Sequence, residues 1–154
     1  MSLDVGDAIP DFSLPTDGGG ALSSADTTGK TLVLYFYPKD NTSGCTKQAQ
    51  AFRDSLDDFM AAGALVVGVS PDGVASHDKF KAKQDLNFVL ISDEDKSLCE
   101  AFGVWKEKSM YGKKYMGVER STFLIDEQGI IRRAWRKVKV NGHADEVLEA
   151  ARSV

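Results

Sequence analysis

Six consecutive apolar or aromatic residues, Leu32-Val-Leu-Tyr-Phe-Tyr37, most constrain how this chain can fold. With no polar position, the run has no side to offer water. It therefore predicts a strand buried on both faces, at the centre of an α/β sheet. Pro38 cuts the run, and six polar or small residues, Lys39 to Gly44, lead to Cys45, where helical spacing begins. A buried strand, a loop and a helix start thus meet at a thiol.

The flanking segments repeat the alternation. From Cys45, Ala49, Phe52, Leu56, Phe59 and Met60 recur at steps of three and four, predicting one core-facing helical stripe that Gly63 ends. Ala64–Ser70 reads as a second buried strand, Pro71-Asp-Gly73 as a turn, Val74–Gln84 as a helix and Asn87–Ser92 as a third strand. Asp93-Glu-Asp95 opens a short helix through Phe102, the acids suiting its positive end. Arg120–Asp126 and Ile130–Trp135 read as an antiparallel hairpin, and Ala144–Arg152 as the last helix. Upstream, Phe12 and Leu14 alternate with polar residues, Asp17-Gly-Gly-Gly20 turns, and Ala21–Ser23 pairs back. Those glycines do not make a phosphate loop, since no Lys-Ser/Thr follows them. Strands alternating with helices predict an α/β domain over residues 1–154, a central sheet flanked by helices.

Composition narrows the function classes. A net charge of −4 gives no general attraction to nucleic acid or anionic membrane. No stretch reaches the about eighteen apolar residues of a membrane span, and the N-terminus lacks a basic start and apolar core, so a cytoplasmic setting is expected. Two cysteines, Cys45 and Cys99, are too few for a secreted disulfide scaffold. His77 and His143 show no ligand-type spacing, so no metal or other cofactor is expected. Lysines and tyrosines between Lys108 and Gly117 read as a loop rimming the site or meeting a partner, with no RNA-module motif beside them.

A thiol in the first turn of a helix faces N–H groups without intrahelical partners and the positive end of the macrodipole, which favour its ionised form. The alternative is a small apolar residue packing the strand–helix joint, the commoner fate of a lone cysteine. The polar neighbours Asn41, Thr42, Ser43, Thr46 and Lys47 fit a reactive thiol better than a core one.

Pro38, Thr42 and Cys45, spaced Pro-x-x-x-Thr-x-x-Cys, match the active-site signature of peroxiredoxins. The string Tyr35-Phe-Tyr-Pro-Lys-Asp-Asn-Thr-Ser-Gly-Cys-Thr46 closely resembles the PrxQ group, also called bacterioferritin comigratory protein. The resemblance implies a thioredoxin-like fold of peroxiredoxin type with a mixed sheet. It also implies a peroxidase acting on hydrogen peroxide or organic hydroperoxides, with Cys45 as peroxidatic cysteine passing through a sulfenic acid. Thr42, the N–H groups of Gly44 and Cys45, and Arg120 would orient the peroxide, and Pro38 would shield the sulfur. Arg120 resembles the arginine that the family brings from a later strand; by itself it reads as a surface residue at a strand end. Glu119 either orients that arginine or is solvated.

The departure from the family lies five residues after Cys45. Many PrxQ members carry a resolving cysteine there, and this chain has Gln50. Cys99 is the only other thiol. Leu98, Ala101 and Phe102 suggest a half-buried core residue, with a resolving role as the alternative. A one-cysteine cycle follows, reduced by thioredoxin, glutaredoxin or a low-molecular-weight thiol, in a monomer or homodimer. Two other classes remain in view. One is a redox sensor or interaction module on the same fold; the other is a cysteine hydrolase, which needs a histidine base that neither His77 nor His143 obviously supplies.

Overall fold

The computed structural model describes residues 3–154. The chain opens with a small hairpin, β1 (Ser13–Pro15) and β2 (Ala21–Ser23), and a single helical turn, α1 (Ser24–Thr27). It then runs through β3 (Thr31–Phe36), α2 (Ser43–Asp54), α3 (Leu56–Ala61), β4 (Ala64–Ser70), α4 (Val74–Gln84), β5 (Val89–Ser92) and α5 (Ser97–Ala101). A second hairpin, β6 (Trp105–Met110) and β7 (Lys113–Val118), precedes β8 (Ser121–Ile125), β9 (Ile131–Trp135) and α6 (His143–Arg152).

Five strands form the main sheet in the order β5-β4-β3-β8-β9. The strands β3, β4 and β5 pair in parallel, whereas β8 pairs antiparallel to β3 and to β9, so the sheet is mixed. All six residues of β3 are buried, as the apolar run requires. Successive side chains take opposite faces. Val33, Tyr35 and Tyr37 join the core beneath α2, α4 and α6, and Leu32, Leu34 and Phe36 join the core beneath α5 and the base of the β6–β7 hairpin, where Trp105 faces Val118. The sheet thus separates two hydrophobic cores.

The helix expected from Cys45 to Gly63 is two helices. Ser55 has φ −100° and ψ 3°, a turn-like conformation that interrupts the α-helical dihedrals and shifts the phase of the apolar stripe. Leu56 and Phe59 stay buried, but Met60 turns outward at 63% exposure and is not a core residue. The helix through Phe102 begins at Ser97 rather than Asp93, whose carboxylate instead accepts from the Leu98 and Cys99 amides. The lysine-rich segment is a β-hairpin and not a loop. Tyr111 and Gly112 have φ of 53° and 77°, the pair of left-handed residues a tight hairpin turn uses, and glycine takes such a value without steric cost. Alternation was hard to see there because both faces beyond Trp105 and Val118 are largely exposed.

Candidate active site

Two constraints place the thiol. Tyr35 stacks on Phe52 with ring centroids 4.7 Å apart, fixing α2 against β3, and Pro38 and the following loop return the chain to the helix start. Pro38 is half-buried. Thr42 is the N-cap residue, and Cys45 is third in α2, within the first turn and 1% exposed. Thr42 makes no side-chain cap; its hydroxyl donates to the Lys39 carbonyl oxygen at 2.8 Å. Its hydroxyl proton is thus committed to the loop, and its lone pairs are what it offers the site. With no capping side chain, the first amides of α2, those of Gly44 and Cys45 among them, remain free to bind an anionic oxygen.

The cation arrives from the other end of the sequence. Arg120 stands immediately before β8, the antiparallel neighbour of β3, and its carbonyl accepts from the Val138 amide at 3.0 Å. From there Nη2 reaches Cys45 Sγ at 3.2 Å, and Nη1 donates to Gln48 Oε1 at 2.6 Å. The guanidinium thus sets a fixed positive charge and a planar fork of N–H donors against the sulfur. A Cβ on Gly44 would lie 3.2 Å from Arg120 Nη2, so the glycine before the cysteine leaves the space through which the arginine approaches.

Gln48 is a site residue that sequence reasoning missed. It is 1% exposed, one helical turn beyond Cys45, with its carbonyl oxygen holding Arg120 and its amide nitrogen without a protein partner. The i, i+3 spacing was the available signal. Glu119 pairs with Lys106 at 3.4 Å and is not the group that holds Arg120. Lys108, on the β6–β7 hairpin, has its ammonium pKa lowered by burial and by the Arg120 charge, while the nearby Cys45 and Glu119 act in the opposite direction. The hairpin therefore brings a second cation toward the site.

Neither histidine serves the thiol. His143 Nε2 lies 2.8 Å from Thr122 Oγ1 and its ring packs edge-on to Phe52 and Trp135. Burial lowers its pKa to about 4; Glu146 opposes this and Arg120 adds to it. His77 is held by Asp40 and the Ile91 carbonyl. Asp40, Asp72 and His77 bring ligating atoms within 4.8 Å of one another, but those atoms are taken up in hydrogen bonds to Tyr37, Ser70, Ser76 and the Asp40 amide.

Cys99 is fully buried rather than half-buried, in the core on the opposite side of the sheet from Cys45. Burial and then the Asp93 carboxylate push its thiol pKa far up. Gln50 donates from Nε2 to Gln84 Oε1 at 2.9 Å, and Arg53 donates to the Gln84 carbonyl at 2.7 Å, so the position five residues after Cys45 ties α2 to the end of α4.

A family model described as AhpC/TSA family matches residues 5–134. Peroxiredoxin Bcp of Bacillus subtilis is 48% identical over 154 residues, covering 100% of this chain and 98% of that protein. The solved structure of a cysteine-to-serine mutant of Xylella fastidiosa PrxQ is similar at a TM-score of 0.95 and 45% identity, covering 99% of this chain and 98% of that one. Xanthomonas campestris bacterioferritin comigratory protein, solved in complexes bearing on its alkyl peroxide reduction activity, matches at a TM-score of 0.89 and 48% identity, with 96% of this chain and 98% of that one covered.

Proposed function

The chain belongs to the AhpC/TSA family, among its Bcp or PrxQ peroxiredoxins, and is a thiol-dependent peroxidase; we propose that it reduces hydrogen peroxide and alkyl hydroperoxides at Cys45 in a one-cysteine cycle. The observation that carries this reading is the 3.2 Å contact from Arg120 to a sulfur in the first turn of α2.

In the proposed step the Cys45 thiolate attacks one peroxide oxygen. An S–O bond forms, the O–O bond breaks, and the leaving alkoxide or hydroxide takes up a proton, giving a sulfenic acid and an alcohol or water. Arg120 and the free amides of Gly44 and Cys45 stabilise the charge that develops on the oxygens. Thr42 accepts a hydrogen bond from the protonated peroxide oxygen, and Pro38 keeps water from the sulfur without offering a competing N–H. A donor thiol then condenses with the sulfenic acid, releasing water and forming a mixed disulfide. A second thiolate cleaves that disulfide to regenerate Cys45.

The external donor is supported by Gln50 in place of a resolving cysteine and by the location of Cys99 in the other core. Thioredoxin, glutaredoxin and small thiols are the donor classes to compare. We further propose that the chain acts as one domain in the cytoplasm; among the described residues no helix is long and apolar enough to cross a membrane.

Intact-mass spectrometry after one equivalent of hydrogen peroxide, with and without dimedone, tests the cycle. A dimedone adduct on Cys45 with Cys99 free is the expected result. A Cys45–Cys99 disulfide without adduct would overturn the one-cysteine cycle, and an unmodified Cys45 would overturn the peroxidase reading. Sustained peroxide consumption with a donor separates an enzyme from a sensor that oxidises once.

A further inference from the structure

The loop that delivers Cys45 is fastened by a buried polar cluster that takes no direct part in the chemistry above. Asp40 lies five residues before the thiol and is buried. Its carboxylate accepts from the Tyr37 hydroxyl at 2.6 Å and the Ser76 hydroxyl at 2.8 Å, and lies 2.7 Å from His77 Nδ1. Its amide donates to Asp72 Oδ2 at 2.8 Å, and Asp72 is itself held by Ser70. The next residue, Asn41, has φ of 65°, a left-handed conformation uncommon outside glycine, and Thr42 follows as the N-cap of α2. The entry to the Cys45 helix is therefore a tight bend whose base is Asp40.

His77 is fully buried, and both of its ring nitrogens face acceptors. Nε2 lies 2.9 Å from the Ile91 carbonyl oxygen, which can only accept, so Nε2 carries a proton. Nδ1 lies 2.7 Å from Asp40 Oδ2, which also accepts from the Ser76 hydroxyl, so donors converge on this oxygen and the second proton belongs on the nitrogen.

We propose that His77 and Asp40 form a buried imidazolium–carboxylate pair that positions the Cys45 loop, making His77 a positioning residue for the peroxide reaction and giving that reaction an alkaline limit distinct from the thiol's own ionisation. The proposal rests on the peroxidase reading. The titratable or charged groups facing His77 are Tyr37 at the end of β3, Asp40 in the loop and Asp72 in the turn before α4, and β5 presents the Ile91 carbonyl. Burial opposes the imidazolium charge, but the Asp40 hydrogen bond and charge, the Ile91 carbonyl and Asp72 together raise the His77 pKa above its ordinary value. Tyr37 stays protonated, since burial and its neighbours Tyr35 and Asp40 hold its phenol well above the usual range. Loss of a proton from His77 as pH rises sets a lone pair against an acceptor and releases the fastening on Asp40.

The test is nitrogen NMR of the His77 ring in the wild-type protein from neutral pH upward, in parallel with the rate constant of Cys45 oxidation by hydrogen peroxide. Both nitrogens are expected to be protonated at neutral pH. The rate constant should hold while His77 keeps both protons and fall where it loses one. H77Q, which can donate to Asp40 but cannot titrate, should react roughly tenfold more slowly at neutral pH and lack that alkaline fall. A neutral His77 at neutral pH, a rate indifferent to His77 titration, or an H77Q variant as fast as wild type would each overturn the proposal. Should H77Q fail to fold, the wild-type comparison alone decides. A reactive Cys45 beside a neutral His77 defeats only this proposal, whereas a doubly protonated His77 beside a Cys45 inert to peroxide defeats the peroxidase reading and the positioning role with it.

Discussion

Cys45 and Cys99 occupy the same place in two helices. Each is the third residue of its helix and each is buried, at 1% and 0% exposure. Their surroundings differ in charge. At Cys45 the helix start has no side-chain cap and a guanidinium touches the sulfur; at Cys99 the Asp93 carboxylate takes the amides of Leu98 and Cys99 and places its negative charge beside the thiol. If Cys45 is the reacting thiol, as proposed above, a helix N-terminus alone does not make one, since Cys99 has the same position and a raised pKa. On that reading the local counter-charge decides, because the Asp93 carboxylate both occupies the N–H groups that would stabilise a thiolate and repels it.

The largest test of this contrast is a pair of single substitutions. C45S should abolish thiol-dependent peroxide consumption, followed by the coupled loss of donor thiol, while the same assay on C99A should stay near the wild-type rate; an inactive, folded C99A would break the comparison. Next, R120Q should lower the rate constant for Cys45 oxidation on the order of 10²–10³-fold, the usual cost of removing one donor aimed at developing charge, measured by stopped-flow fluorescence. A rate close to wild type would mean that the helix start suffices after all.

A pH experiment addresses the Cys45 side of the sheet alone. His143 packs against Phe52 there, and its folded-state pKa of about 4 lies below the ordinary 6.5. As pH falls, the unfolded chain takes up this proton first. The stability contribution is present above about pH 6.5 and lost as pH falls toward about 4, by on the order of 3 kcal/mol. Denaturant titrations across that window should show the loss, and H143Q should flatten it. The smallest effect is the stability of C99A, which should fall by about 1 kcal/mol, read from the shift in denaturant midpoint.

Much of the fold was legible because β3 carries its burial in its composition, and β4, β5 and β8 do so nearly as clearly, whereas the exposed β6–β7 hairpin does not. The start of α2 was legible too, from Pro38 and the polar loop. The break at Ser55 was not, since nothing in the spacing of Leu56, Phe59 and Met60 distinguishes one helix from two with slipped phase. The site was readable only in part. Gln48 shares a helix face with Cys45 and could have been found by counting. Arg120 lies 75 residues from the thiol and was reached through family resemblance, because sheet order, not local pattern, brings β8 beside β3. Asp40 and His77, 37 residues apart, meet for the same reason. Long-range pairing of polar side chains leaves no periodicity in the chain.

The strand buried on both faces has a further consequence. In the proposed cycle the sheet behaves as an insulator, with one sulfur in each compartment and no passage between them. An oxidising equivalent accepted at Cys45 leaves only when a molecule from outside collects it. How long the protein stays oxidised is then set by the supply of donors around it, and the chain becomes a relay whose timing belongs to its surroundings.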